Sequence, residues 1–162
     1  MRDFHMPGRS AVFAMSGLCA TSHPLAAQVA VDTLKAGGNA VDAAIAGAVV
    51  LGICEPQMTG LGGDCFVLLT SARNSQGRIT AAMRARGLTA VPVHGPESVT
   101  VPGAIDAFCR LSADWGRLGL DRVLAPAIHY AETGVPVAPR TAFDWARATH
   151  LQGAAREFFL VG

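Results

Sequence analysis

The stretch that decides the fold runs from Thr21 to Leu69: TSHPLAAQVAVDTLKAGGNAVDAAIAGAVVLGICEPQMTGLGGDCFVLL. It begins as a helix. Thr21 or Ser22 stands where a capping hydroxyl is wanted, and Pro24 falls in the first turn, where a missing N–H costs nothing. Leu25, Val29 and Thr33, with Ala26, Ala30 and Leu34, gather on one face, while Gln28, Asp32 and Lys35 lie opposite. Gly37 and Gly38 end this helix, because glycine accepts the left-handed conformation that closes one. Asn39 is then the cap of a second helix. Val41, Ala44, Ile45, Ala48 and Val49 make one side of it, Ala43, Ala46, Gly47 and Val50 the other, and Asp42 is its one charge. A helix apolar on every side is expected to be buried on every side, and its small residues admit a close neighbour.

Beyond this helix, Pro56 and the glycines at 60, 62 and 63 form a turn. Cys65–Leu69 reads as a buried strand, since none of its positions alternates to polar. Turn residues 71–77 and a returning strand, 78–83, complete a predicted β-hairpin from Cys65 to Met83. A third helix opens at Pro102 or Gly103, with Ile105, Phe108, Leu111 and Trp115 inward. A fourth starts at Asp121, meets Pro126 as a break or kink, turns Leu124, Ala127, Ile128 and Ala131 inward, and ends at Gly134. Residues 143–148 suit one more short helix. Upstream, residues 1–11 read as a loose arm, and 12–15 and 18–20 as short strand pieces.

Composition bounds the class. The 162 residues are 51% hydrophobic and only 15% charged, where about 25% charged is usual for a soluble domain. So few charges imply a large apolar surface that something else covers. The formal charge of +1 comes with no basic stripe, which excludes nucleic acid as the expected partner. The longest apolar run, Ala43–Cys54, is far short of the roughly 20 residues of a bilayer span. The N-terminal MRDFHMPGRS has no signal-peptide pattern, so the expected location is cytoplasmic, with no membrane partner. Of the four cysteines, Cys54, Cys65 and Cys109 sit in apolar settings. Without CxxC spacing, buried free thiols are expected rather than a metal site or disulfides.

Candidate chemistry is sparse. GLGGD, Gly60–Asp64, follows a helix and opens a strand, the reverse of a dinucleotide loop, and reads as a tight turn. Ser22-His23 could be forced into a hydrolase triad, but no GxSxG elbow accompanies it, and a helix start explains it better. The histidines show no ligand spacing. Asp42 and Asp64 are the acids in the most apolar surroundings. Each is expected to bind backbone N–H groups of the nearby helix start or glycine turn, with a place in the floor of a substrate cavity as the sharper alternative.

Five segments in order, SHPLAAQ, LKAGGNAVDAAIA, EPQMTGLGGDCF, ESVTVPGAIDAF and APAIHYAETGVPVAP, closely resemble the γ-glutamyltransferase family of N-terminal-nucleophile hydrolases. The resemblance runs from about Arg9 to Trp145 and matches the N-terminal part of the family's large subunit. It implies an α+β fold: a helical layer plus a β-hairpin, an incomplete portion of the αββα sandwich, with residues 1–162 as a single partial domain. It also implies a precursor that cleaves itself, exposing a threonine nucleophile on the small subunit whose own α-amino group serves as base. The reaction is γ-glutamyl or similar acyl transfer to water or an amine, glutathione-type substrates included, without a cofactor or metal. The Thr-Thr-His processing motif is absent. Thr149-His150 is a lone pair in an apparently helical setting, so no catalytic residue is assigned, and the chain alone is expected to be inactive. Its expected partner is a complementary small-subunit half or a second copy. The substrate-carboxylate arginine that the resemblance implies falls at Arg86 when read forward from the hairpin. When read backward from ESVTVPG, MRARGLTAVP matches a later segment, and the arginine is lost with residues before Met83. The alternative function is a non-catalytic interaction protein that reuses the helical layer.

Overall fold

The computed structural model describes residues 11–71, 74–75, 101–147 and 152–160. Its elements are α1 (Pro24–Lys35), α2 (Ala40–Cys54), β1 (Thr70–Ser71), β2 (Asn74–Ser75), α3 (Ala104–Trp115), α4 (Leu120–Thr133), α5 (Pro139–Trp145) and α6 (Gly153–Leu160). The chain divides into two compact units, residues 61–107 in one and the remainder in the other, with the boundary inside α3.

The larger unit is organised around α2, which packs against α1 and α4. The contact with α1 is made by small residues. A Cβ placed on Gly47 would lie 3.5 Å from the Ala26 carbonyl and 3.6 Å from the Ala30 Cβ, and Ala26, Val29 and Ala30 are buried there with Ile45, Ala46, Val49 and Val50. The α1 face agrees with its apolar spacing. Its start does not: His23, not Thr21 or Ser22, is the N-cap, its Nδ1 accepting from the Leu25 N–H at 3.2 Å. The end is as expected. Gly37 takes φ +94°, and Gly38 donates to the Thr33 carbonyl five residues back in the closing motif.

Asn39 caps α2 as expected, accepting from Val41 and Asp42. Asp42 returns the bond, its Oδ2 accepting from the Asn39 N–H at 2.9 Å, which completes a capping box. The expectation that α2 is buried all round is corrected. Ala40 and Ala44 are exposed and Ala48 half-buried, so one stripe of the helix is open. α3 and α4 differ more. Ile105 is 46% and Trp115 55% exposed while Phe108 and Leu111 are half-buried, so the expected inner face of α3 is only partly covered. α4 starts one residue earlier than expected and runs through Pro126 to Thr133. It buries Val123 and Ala127, whereas Ile128 and Ala131 face water. The buried face is therefore rotated from the expected one, because contact with α2 selects among several apolar positions. Gly134, at φ +81°, closes α4.

In the smaller unit, the Ala104 N–H donates to the Gly63 carbonyl at 3.0 Å. The expected buried strand over Cys65–Leu69 is corrected: these residues are irregular, with Phe66 91% and Leu68 87% exposed. An apolar strand stays in place only when neighbours pair its edges and cover its faces. Among the described residues, antiparallel pairing joins Thr70 with Ser75 and Ser71 with Asn74. The returning strand, 78–83, lies outside the described residues, as does the arm at 1–10. The segments 12–15 and 18–20 form no strand, and Phe13 and Met15 are fully or almost fully exposed.

Candidate functional site

Three segments far apart in sequence converge on one cavity of about 720 Å³, lined by Ser22–Pro24, Glu55, Gln57, Met58 and the start of α5 with Ala138, Arg140 and Asp144. Glu55 is the C-cap residue of α2 and is buried. The apolar helix ends there, and the chain turns at Pro56 instead of continuing. The Ser22 hydroxyl donates to Glu55 Oε2. His23 is 5% exposed. Its Nδ1 accepts the cap hydrogen bond, so that nitrogen carries no proton and the ring holds its N–H on Nε2.

This geometry removes the Ser22-His23 hydrolase reading. A serine nucleophile needs an imidazole nitrogen to take its proton. Here the hydroxyl faces a carboxylate, and the accepting nitrogen of His23 is committed to the backbone.

The opposite wall is made by α5. Arg140 Nε and Asp144 Oδ2 pair at 2.8 Å, four residues apart on one helix face. The Arg140 hydrogen bond and charge hold the Asp144 carboxyl below its usual range, with smaller pulls from Gln57 and Arg147. Arg147 also stacks its guanidinium 4.1 Å over the Phe143 ring. Gln57 lines the same wall, with its side-chain amide buried beside the Asp144 carboxyl that it helps to hold down. Thr141 ties α5 to the end of α2, its hydroxyl donating to the Cys54 carbonyl at 3.2 Å. A second, more apolar cavity of about 410 Å³ also uses α5, with Ile53, Pro56, Val137 and Trp145 in its walls.

Of the residues singled out from sequence, Ser22 and His23 line the cavity. Arg86, the candidate for substrate binding, lies outside the described residues, as do Thr149 and His150. Asp42 binds backbone N–H groups as expected, and more of them than sequence alone indicated. Besides Asn39, it accepts from Arg117 and Leu118 at 3.0–3.3 Å, while Asn39 Nδ2 donates to the Trp115 carbonyl at 2.6 Å. Asp42 is thus a clamp between the start of α2 and the α3–α4 turn, and its carboxylate is fully buried. Asp64 is exposed, contrary to the expectation of a turn-binding acid in an apolar setting. Of the expected buried thiols, Cys54 is buried, Cys65 half-buried and Cys109 exposed; burial and then the Glu55 charge push the Cys54 thiol up. Sequence reasoning missed the grouping of Glu55, Gln57, Arg140 and Asp144. The available signals were the EPQ triplet directly after an apolar helix and the Arg-x-x-x-Asp spacing of 140 and 144.

Comparison with known proteins gives this geometry its context. The family model described as gamma-glutamyltranspeptidase matches residues 26–161. The glutathione hydrolase-like YwrD proenzyme of Bacillus subtilis is 40% identical over 127 residues, covering 71% of this chain and 24% of that protein. The gamma-glutamyltranspeptidase of Helicobacter pylori superposes with a TM-score of 0.70 at 25% identity, over 86% of this chain and 44% of that one. The cephalosporin acylase of Bacillus halodurans superposes with a TM-score of 0.68 at 37% identity, over 93% of this chain and 32% of that one. The chain spans about a quarter of the length of the curated relatives it matches first. It belongs to the gamma-glutamyltranspeptidase family.

Proposed function

We propose that this chain is the N-terminal portion of a γ-glutamyltransferase-like enzyme, and that it has no acyl-transfer activity by itself. It supplies a helical layer of an N-terminal-nucleophile hydrolase sandwich. The reaction is transfer of a γ-glutamyl or related acyl group from an amide to water or an amine. A threonine outside these 162 residues provides the nucleophile, with its α-amino group as base. The observation that carries the reading is that nearly the whole chain matches the family, yet spans about a quarter of the proenzymes named glutathione hydrolase and acylase. Relatives named glutathione hydrolase, acylase and oxamate amidohydrolase support a γ-glutamyl or similar amide as the substrate class, glutathione-type substrates included.

The partner is a complementary small-subunit half, or failing that a second copy of this chain. Phe13, Met15, Phe66 and Leu68 are each 87% exposed or more, and so much apolar side chain in contact with water favours association. The same exposure supports the second reading, a non-catalytic interaction protein. A chimaera separates the two. Residues 26–161 replace the matching segment of the Bacillus subtilis relative, and the product is assayed for self-cleavage and hydrolysis of γ-glutamyl-p-nitroanilide. Cleavage with turnover is expected. A chimaera that folds and melts cooperatively but neither cleaves nor turns over would favour the interaction protein.

A further inference from the structure

We infer that α5 is a lid: a short helix latched over the loop after α2 by the charged and polar groups of Glu55, Gln57, Arg140 and Asp144, which swings on Gly134 as a unit when those charges are weakened. The inference concerns the chain itself and goes beyond the acyl-transfer reading.

The apolar anchorage of α5 is thin. Its buried residue is Thr141, a polar one, tied through its hydroxyl to the Cys54 carbonyl at 3.2 Å. The other residues of the helix are half-buried or exposed. Space lies against it in two directions: the cavity of about 720 Å³ meets Arg140 and Asp144, and that of about 410 Å³ meets Thr141, Ala142 and Trp145. A helix flanked by cavities lacks the close contacts that hold a packed one, and an element with few buried apolar contacts opens at low cost. No side chain caps its first turn. Upstream, Gly134 sits at φ +81° with open space around it, and residues 135–138 are irregular. Such an element end can absorb the backbone rotation of a hinge.

The latch is polar. Arg140 donates to Asp144 at 2.8 Å and also feels the Glu55 charge. Asp144 is held ionised first by Arg140, with smaller pulls from Gln57 and Arg147. Glu55 is buried and fixed by the Ser22 hydroxyl. His23 faces the same cavity, but its Nδ1 is committed to the cap of α1. Glu55 and Gln57 are therefore held on the α1–α2 side, while Arg140, Asp144 and Arg147 belong to α5 and its end. Two carboxylates face two guanidiniums, so the charges balance and their use is cohesion. The Arg140 and Asp144 side chains are 44% and 20% exposed, within reach of salt, which weakens such contacts. The competing account is that α5 is held by ordinary packing.

The test is hydrogen–deuterium exchange of the full chain, read by mass spectrometry on the segments 139–147 and 40–54. In the wild type the α5 segment should exchange faster than α2. Raising NaCl from about 0.05 M to about 1 M, where the screening length falls to about 3 Å, should speed exchange of α5 and leave that of α2 unchanged. Arg140→Met keeps the apolar stem and deletes the charge; it should speed α5 exchange about fivefold, equivalent to about 1 kcal/mol. Glu55→Gln, which still accepts from Ser22, should act in the same direction. The double variant should open no more than the more affected single one, because both substitutions cut the same tie. Equal acceleration of both segments by salt, unchanged α5 exchange in Arg140→Met, or additive effects in the double variant would each overturn the inference.

Discussion

Replacing Asp42 with leucine probes the clamp on which the larger unit depends. The carboxylate is fully buried and accepts from three backbone N–H groups, those of Asn39, Arg117 and Leu118. Loss of the capping-box bond costs about 1 kcal/mol. The two bonds from the α3–α4 turn run to a charged acceptor, and such bonds are worth about 1.5–3 kcal/mol each when dry. Arg117 is exposed and Leu118 half-buried, so water recovers part of that loss, leaving about 2 kcal/mol for the pair. The expected destabilisation is therefore about 3 kcal/mol, within about 2–4. Asp42→Asn keeps one acceptor oxygen but turns an N–H₂ toward two donors, and should lose roughly half as much. The assay is guanidinium unfolding followed by helical circular dichroism, run at two protein concentrations tenfold apart so that association does not enter the number. A change below ~1 kcal/mol for Asp42→Leu would refute the reasoning, because it would mean that the turn N–H groups do not depend on this carboxylate.

Two glycines should respond in opposite directions. Gly47→Ala should be neutral or stabilise by up to about 1 kcal/mol, since helix propensity improves and the added Cβ finds ordinary contacts at 3.5 and 3.6 Å. Gly38→Ala should destabilise, because its Cβ would lie 2.8 Å from the Thr33 carbonyl; thermal melts of both variants compare them directly. Thiol labelling at neutral pH should modify the exposed Cys109 first. Cys54 should react only on unfolding, being buried and held protonated by burial and by Glu55; equal rates would contradict that placement. The isolated chain should self-associate in light scattering or bind a hydrophobic dye. A sharp monomer peak with cooperative melting and no dye binding would count against the reading that Phe66 and Leu68 await a cover.

The legible parts of the fold were those governed by local rules. Asn39 and Asp42 announce a helix start, Gly37-Gly38 a helix end, and the spacing of Ala26, Val29, Ala30 and Thr33 a buried face, and all stand in the structure. Errors came where a distant neighbour decides. α4 offers apolar residues over most of its circumference, so only its contact with α2 selects Val123 and Ala127 over Ile128. The run at 65–69 has the composition of a buried strand, but composition does not supply the strands that would pair with it. His23 took the cap from Thr21 and Ser22 because an imidazole nitrogen serves as well as a hydroxyl. The family was readable because its motifs are contiguous. The cavity was not, because Glu55 and Arg140 are separated by two helices, and nothing local in either segment announces the other.

The central claim is that this chain belongs to an acyl-transfer enzyme without itself holding the nucleophile. The most direct test is the purified 162-residue chain with γ-glutamyl-p-nitroanilide, beside its Thr149→Ala variant. The account predicts release of nitroaniline at the uncatalysed background rate for both. Turnover above background that survives Thr149→Ala would contradict it, because the chain would then carry a nucleophile that the family's threonine chemistry does not explain. Turnover abolished by that substitution would contradict it too, by placing the nucleophile at Thr149.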